Sequence, residues 1–305
     1  MIGMKNLKFI MENTPNQLQL IQFIQGIEFI EQKESYVKFL TSVAKFHILA
    51  YSAEEIVGWV ALIEVNPATI FLYEWHPFVL PSPQEDEIKQ KLLREACIVT
   101  KNAHIPNLRT FVPVKNSDTV QFKKLEELYL SAGMNKTHVQ NCMIARLSEK
   151  NLKDVSIPLD LTIINMNDEN RGTLLNAYEI VFKDSFDDFI NSLDEQERKY
   201  WDLFDENQLA DVAVVLKKDD YIIGFIGAHE DDGDVELGPV GVIPKYRGKK
   251  IGNLLLNHVV QKLLEIGRNE VYLEVGSRNT VAFSLYSSYG FRKVSEKHGF
   301  LIKTN

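Results

Sequence analysis

The sequence predicts an α/β protein of two similar domains, each a mixed, mostly antiparallel central sheet flanked by helices. Three observations predict it. Apolar residues alternate repeatedly between a period of two and a period near 3.6. The polar stretch 148–159, with Pro158 near its end, has no period and reads as a linker. Short segments also recur in the same order on both sides of that linker. The expected domains are therefore 1–150 and 151–305.

The first half begins with helical spacing over 17–40, at Leu20, Phe23, Ile24, Ile27 and then Tyr36, Val37, Phe39 and Leu40. Strands are expected at 46–51 and 56–65, joined by a turn over 52–55, and at 70–75. Ile88 to Lys101 is an amphipathic helix, 108–114 a strand, and 120–132 a helix stopped by Gly133. The strand 139–147 completes the half. The second half repeats the order: strand 161–164, helices 169–183 and 194–206, and a hairpin of 212–216 with 221–228. Strand 235–242, helix 253–264, strand 270–275, helix 280–289 and terminal strands near 291–294 and 300–303 complete it.

The repeat has specific anchors. Gly58 matches Gly224, Glu74-Trp-His-Pro77 matches Glu236-Leu-Gly-Pro239, and Leu128 to Met134 matches Leu285 to Phe291. In this register Gln84 falls opposite Arg247 and Ile88 opposite Ile251. Glu85-Asp-Glu87 then faces Gly248-Lys-Lys250.

Composition narrows the function. The 305 residues carry a net charge of −8, which argues against a general nucleic-acid binder. Cys97 and Cys142 fit neither a metal spacing nor a disulfide framework, so reduced thiols and no metal are expected. No apolar run reaches the ~18 residues of a membrane span, and the start lacks a signal-peptide core. A cytoplasmic protein, monomeric or homodimeric, is expected.

The chemical signal lies in Val240 to Gly252, a strand, a turn rich in glycine and cations, and a helix start. Arg247, Gly248, Lys249, Lys250, Ile251 and Gly252 would present successive backbone N–H groups at the positive end of a helix, an anion site. This stretch resembles the acyl-CoA-binding loop of the GCN5-related N-acetyltransferases, Arg/Gln-x-x-Gly-x-Gly/Ala, with Lys250 where the family usually has its middle glycine. A second stretch, Asn279 to Phe291, resembles the family's Asn-x-x-Ala-x-x-x-Tyr-x-x-x-Gly-Phe at Asn279, Ala282, Tyr286, Gly290 and Phe291.

The resemblance implies acetyl-CoA as cosubstrate, an amine acceptor and direct acetyl transfer in the second half. It implies that the main chain at Val240 and Val242 pairs with the pantetheine arm and polarises the thioester. Tyr286 would then protonate the leaving thiolate, and Asn279 would cap its helix and reach the coenzyme. Glu236 is the expected base, with Glu274 and His229 as weaker candidates. Acceptor choice would fall to 182–197, where Asp184, Asp187, Asp188 and Asp194 alternate with Phe182, Phe186 and Phe189 and suit a small cationic amine. The first half, with Glu85-Asp-Glu87 in place of the loop, is expected not to bind the coenzyme. A non-catalytic acyl-CoA sensor and a nucleotide-binding protein are the rival readings; the latter lacks Gly-x-x-x-x-Gly-Lys-Ser/Thr and Gly-x-Gly-x-x-Gly.

Overall fold

Alternation along the strands and a 3.6-residue stripe along the helices fix which faces are buried, and they assemble a mixed sheet with helices on both faces. The computed structural model describes residues 7–28, 30–183, 188–200, 208–209, 211–231 and 233–304. These residues separate into two compact units. The first comprises residues up to 137 together with 195–200 and the C-terminal stretch from His298; the second comprises 138–194 and the residues from 201 to 297. The boundaries therefore fall inside two strands rather than at the polar linker.

In the first unit, strands β1 (Leu7–Glu12), β2 (Phe46–Ser52), β3 (Glu55–Asn66), β4 (Thr69–Leu72) and β6 (Asn107–Val114) follow one another across the sheet. All neighbours are antiparallel except β4 and β6. The two-residue β5 (Phe78–Val79) pairs only with β3. The helical spacing over 17–40 resolves into two helices, α1 (Gln17–Ile24) and α2 (Lys33–Val43), the former capped by Asn16. They pack Leu20, Phe23, Ile24, Val37 and Leu40 with Trp59 and Phe78. On the other face, α3 (Glu85–Asn102) and α4 (Thr119–Ser131) bury Ile88, Leu92, Phe122 and Tyr129 against Ile70, Leu108 and Phe300. Strand β1, whose exposed Ile10 and Met11 obscure its alternation, escapes the sequence reading.

The second unit has the order β7-β12-β11-β10-β9-β8, from β7 (Asn135–Arg146), β8 (Thr162–Asn165), β9 (Val214–Lys218), β10 (Tyr221–Asp231), β11 (Asp234–Val242) and β12 (Glu270–Gly276). Only β11 and β12 run parallel. Helix α5 (Arg171–Phe182) and the short α6 (Asp188–Ser192) precede α7 (Glu195–Tyr200). Helices α8 (Ile251–Glu265) and α9 (Thr280–Ser287) bury Leu255, Val259, Leu263 and Tyr286 against Val235, Leu237, Val271 and Leu273. The terminal strands expected at 291–294 and 300–303 are one strand, β13 (Arg292–Lys303). The end of β13 belongs to the first unit, where the Thr304 N–H donates to Pro106 O at 3.0 Å.

Side-chain packing confirms the repeat. A Cβ on Gly58 would stand 2.9 Å from Leu92 and 3.2 Å from Ile88; a Cβ on Gly224 would meet Leu255 and Ile251 at the same distances. One helix therefore lies on one strand in the same way twice, and Ile88 is the counterpart of Ile251 as the sequence register requires. The match of Glu74 with Glu236 does not survive. Five residues beyond each glycine, Ile63 faces Phe71 and His229 faces Glu236, so the ladder counterpart of Glu236 is Phe71. Glu74 lies in the turn after β4, because the first unit has extra residues between that strand and its proline.

Candidate active site

The site grows from the junction of β11 with α8. After β11 the chain makes a 3-10 turn over 244–246 and then takes two left-handed residues, Gly248 at φ +75° and Lys250 at φ +60°. Gly248 suits this because it has no Cβ; Lys250 holds the same region at a cost of roughly 1–2 kcal/mol. Lys250 thus occupies a backbone conformation that explains a glycine at that motif position. The two residues turn successive amides outward. Among the described residues, the N–H groups of Gly248, Lys249, Lys250, Ile251 and Gly252 donate to no carbonyl, and no side chain caps the helix. Arg247 departs from the expectation. Its N–H closes the turn onto Pro244 O at 3.1 Å, and its guanidinium bonds Val242 O at 3.0 Å and Val181 O at 2.9 Å. It braces the loop against β11 and α5, and the five amides from Gly248 to Gly252 are left without a carbonyl partner.

Beside the cradle, β11 parts from β12. The parallel pairing covers Val235–Leu237 with Val271–Leu273, whereas β11 stays paired to β10 as far as Val242 opposite Gly224. Gly238-Pro239, whose peptide bond is cis, stands where the strands separate. The Ile243 N–H donates to Ile223 O of β10 at 3.0 Å. Because successive residues of a strand point their amides to opposite sides, those of Val240 and Val242 face the opening.

Helix α9 closes the same region. The Asn279 side chain accepts from the Ala282 N–H at 3.1 Å, the expected cap. Leu285 touches the position of a Gly252 Cβ at 3.0 Å, so α9 lies directly on the cradle. Tyr286 is buried with its ring 6.1 Å from Phe291, edge on. Tyr289, one turn along, donates its hydroxyl to Asn253 O at 2.8 Å, and burial pushes its pKa up to about 12. A cation that the sequence reading passed over also stands here. Lys153, from the linker, lies 4.0 Å over the Tyr289 ring and 3.4 Å from Asn253 Oδ1. Only the fold brings the linker back to α8.

The remaining candidates share the other face of the sheet. Glu236 sits opposite His229 on β10 and beside Tyr272 on β12; Glu274, two residues on, faces Cys142 of β7. The Glu236 side chain is reached by solvent, yet desolvation raises its pKa, and the Glu274 carboxylate raises it further while Lys297 and His229 oppose the rise. Glu274 is ion-paired to Lys297. His229 Nε2 lies 2.6 Å from Gly238 O, so that nitrogen carries the proton and the ring acts as a donor to the backbone. Desolvation, and then Glu274, push the Cys142 thiol up, which disfavours a thiolate nucleophile. Among the described residues no group of His, Cys, Asp and Glu is placed to hold a metal.

Of the acidic acceptor segment, Asp184, Phe186 and Asp187 lie outside the described residues, as does the part of the expected helix 194–206 beyond Tyr200. Asp188 is ion-paired with Arg278, with Nε 2.9 Å from Oδ2. Phe189 packs edge on to His138 at 5.1 Å.

The first unit closes the equivalent place. Helix α3 starts at Glu85, three residues before the counterpart of Ile251, so Glu85, Asp86 and Glu87 form its first turn instead of a loop. Carboxylates there satisfy the positive helix end internally. Tyr129, the counterpart of Tyr286, is wholly buried and donates its hydroxyl to His76 O at 2.5 Å.

Known proteins resemble this chain in sequence and in fold. Residues 176–291 match the acetyltransferase (GNAT) family. The chain is 42% identical over 62 residues to the N-alpha-acetyltransferase RimI of Mycobacterium tuberculosis, covering 20% of this chain and 37% of that protein. It is 31% identical over 88 residues to the [ribosomal protein bS18]-alanine N-acetyltransferase of Haemophilus influenzae, covering 29% and 60%. The chain spans between about a fifth and three fifths of the length of the curated relatives it matches. Among solved structures, a GCN5-related N-acetyltransferase from Sphaerobacter thermophilus superposes with a TM-score of 0.63 at 18% identity, covering 97% of this chain and 96% of the other. A tandem GNAT protein from the clavulanic acid biosynthesis pathway gives 0.60 at 12% identity, covering 98% and 99%. These two likenesses establish the fold.

Proposed function

Residues 176–291 belong to the acetyltransferase (GNAT) family and the whole chain has the fold of a tandem member; from that premise we propose that the second unit moves an acetyl group from acetyl-CoA to an amine. The observation that carries this reading is the cradle of five unbonded amides, Gly248 to Gly252, beside the opening between β11 and β12. A diphosphate meets backbone donors and a helix N-terminus there, and the pantetheine arm meets the main chain of Val240 and Val242.

Four tasks then fall to this chain's residues. The amides of Val240 and Val242 are the donors for the thioester carbonyl as its oxygen gains charge. Glu236, whose raised pKa suits a base, takes a proton from the acceptor ammonium, directly or through one water. The freed amine attacks the carbonyl carbon, the C–S bond breaks as the new C–N bond forms, the nitrogen sheds its surplus proton to solvent, and Tyr286 gives the departing sulfur a proton that it recovers from solvent. Asn279 holds α9, and with it Tyr286, in register. The acceptor we favour is a small amine, cationic before it is deprotonated, drawn by Glu236 and Glu274. The peptide α-amine modified by the Haemophilus influenzae relative is the other acceptor to test.

Calorimetry with acetyl-CoA, ATP and NAD tests the first step; binding of the nucleotides but not of acetyl-CoA overturns the reading. A thiol-release assay over polyamines, amino sugars and a peptide with N-terminal alanine tests the second. An acid limb in kcat/KM, set above the ordinary glutamate range and removed in Glu236→Gln, identifies the base. Acetyl-CoA binding without thiol release on any amine turns the assignment to a sensor.

A further inference from the structure

The first unit contains six residues that the sequence places inside the second. Helix α7 (Glu195–Tyr200) packs in the first unit, while residues 188–194 before it and 211–297 after it belong to the second. One buried side chain fixes it. Glu197 and Arg109 are each about 1% exposed and form a two-pronged ion pair, with Arg109 Nε 2.5 Å from Oε1 and a terminal nitrogen 2.6 Å from Oε2. The Thr69 hydroxyl adds a third bond to Oε1 at 2.9 Å. Two parallel N–H···O bonds out of water fix the orientation of the carboxylate as well as its position.

The place where this happens is informative. In the ladder register, Phe71 stands for Glu236; Arg109, beside Phe71 on β6, stands for Tyr272, and Phe111 for Glu274. The face that carries two carboxylates in the second unit carries an arginine between two phenylalanines in the first. The rings of Phe71 and Phe111 stand 4.7 Å apart. The face that is acidic in the second unit is cationic in the first, and the anion it holds is Glu197 of this same chain.

At its other end the segment is fixed in the second unit. Asp188 of α6 pairs with Arg278, the residue before Asn279, whose side chain caps the helix of Tyr286. We propose that Arg109, Thr69 and Glu197 are positioning residues: by holding α7 they set the 188–200 segment and the start of α9 for the acceptor step. The proposal rests on the acetyltransferase reading only for that last clause, since the clamp itself is independent of turnover.

Hydrogen exchange on the full-length protein tests it. In Glu197→Gln, amide exchange is expected to rise by roughly tenfold at 195–200 and, in the same direction, at 188–192 and 278–282 of the second unit. Thr69→Val, which keeps the ion pair and the fold, is expected to give a smaller rise at the same places. Faster exchange confined to 195–200 in both variants, or no change, overturns the proposal. Calorimetry of acetyl-CoA should stay within about twofold of the parent, and KM for any amine turned over in the screen should rise by roughly tenfold with kcat less affected. An unchanged acceptor KM in folded Glu197→Gln also overturns it. Failure of every amine in the parent protein overturns the acetyltransferase reading and leaves the exchange result to decide the clamp.

Discussion

Helices α3 and α8 press equivalent aliphatic side chains onto equivalent glycines, Ile88 and Leu92 on Gly58 and Ile251 and Leu255 on Gly224. Yet α3 begins at Glu85 and α8 only at Ile251. The three residues that extend α3, Glu85 to Glu87, correspond to Gly248, Lys249 and Lys250, the first three of the five residues with unbonded amides. In the first unit they wind into a helical turn whose own carboxylates meet the helix dipole. In the second, left-handed Gly248 and Lys250 keep them out of the helix and leave their amides unbonded. The tyrosines follow the same division. Tyr129 is wholly buried and donates its hydroxyl to His76 O. In the second unit the carbonyl before the cis proline, Gly238 O, instead meets His229. The two units therefore differ here by one turn of helix and by the partner of one buried hydroxyl, while the packing beneath is kept.

The largest expected effect separates the two tyrosines. Tyr286→Phe should lower kcat by roughly 10²- to 10⁴-fold with acetyl-CoA affinity kept. Tyr129→Phe should leave turnover near the parent value but destabilise the fold by about 1–3 kcal/mol, because His76 O loses its buried partner. Equal effects of the two substitutions on turnover would erase the distinction.

The next effect is on acid stability. Burial holds His47 at about 4, and burial together with the neighbouring His47 holds His76 at about 3, both below the ordinary 6.5. The unfolded chain takes up protons below pH ~6.5 that the folded histidines refuse until pH 4 and 3, so their contribution is full above that point and lost as pH falls through the window. His47 alone should remove roughly 3 kcal/mol by pH 4. Melts between pH 7 and 4 should show this slope, and His47→Gln should flatten it. Glu236 has the opposite sign. With a raised pKa its contribution is lost as pH rises, so Glu236→Gln should stabilise the second unit slightly at neutral pH.

Grafting Glu-Asp-Glu onto 248–250 should weaken acetyl-CoA binding by roughly 10- to 100-fold, since like charge and rewound amides both oppose the diphosphate. The reverse graft of Gly-Lys-Lys onto 85–87 should create no binding, because the Tyr129 hydroxyl still closes the first unit; calorimetry decides both. The smallest effect is Lys250→Gly, expected to stabilise the protein by up to about 1 kcal/mol while changing acetyl-CoA affinity only a few-fold.

Much of this was legible without coordinates. The loop at 247–252, the Asn279 cap, Tyr286 on its short helix and the repeat itself depend on residues near one another in sequence, where propensity, capping and spacing act directly. Where structure and sequence differ, long-range contacts enter. The motif pairs Glu74 with Glu236, but strand register depends on which residues sit opposite one another, and a few extra residues before Pro77 displace the match. The guanidinium of Arg247 bonds nearby Val242 O and, far off in the chain, Val181 O. The linker suggests a boundary at 150, and the described residues sort into units whose limits fall inside β7 and β13 and at the ends of α7.

The sequence by itself determined that a helix N-terminus with outward amides follows a strand, and that a tyrosine helix follows it in the same half, because both are short-range consequences of residue type. Tertiary structure alone decided that Glu236 lies among Glu274, His229 and Lys297, that Tyr129 is sealed onto His76, and that Glu197 is buried on Arg109. Each of these joins groups far apart in the chain; for the buried pairs, taking polar groups out of water costs free energy that only the partner supplied by the fold offsets, which no local pattern encodes.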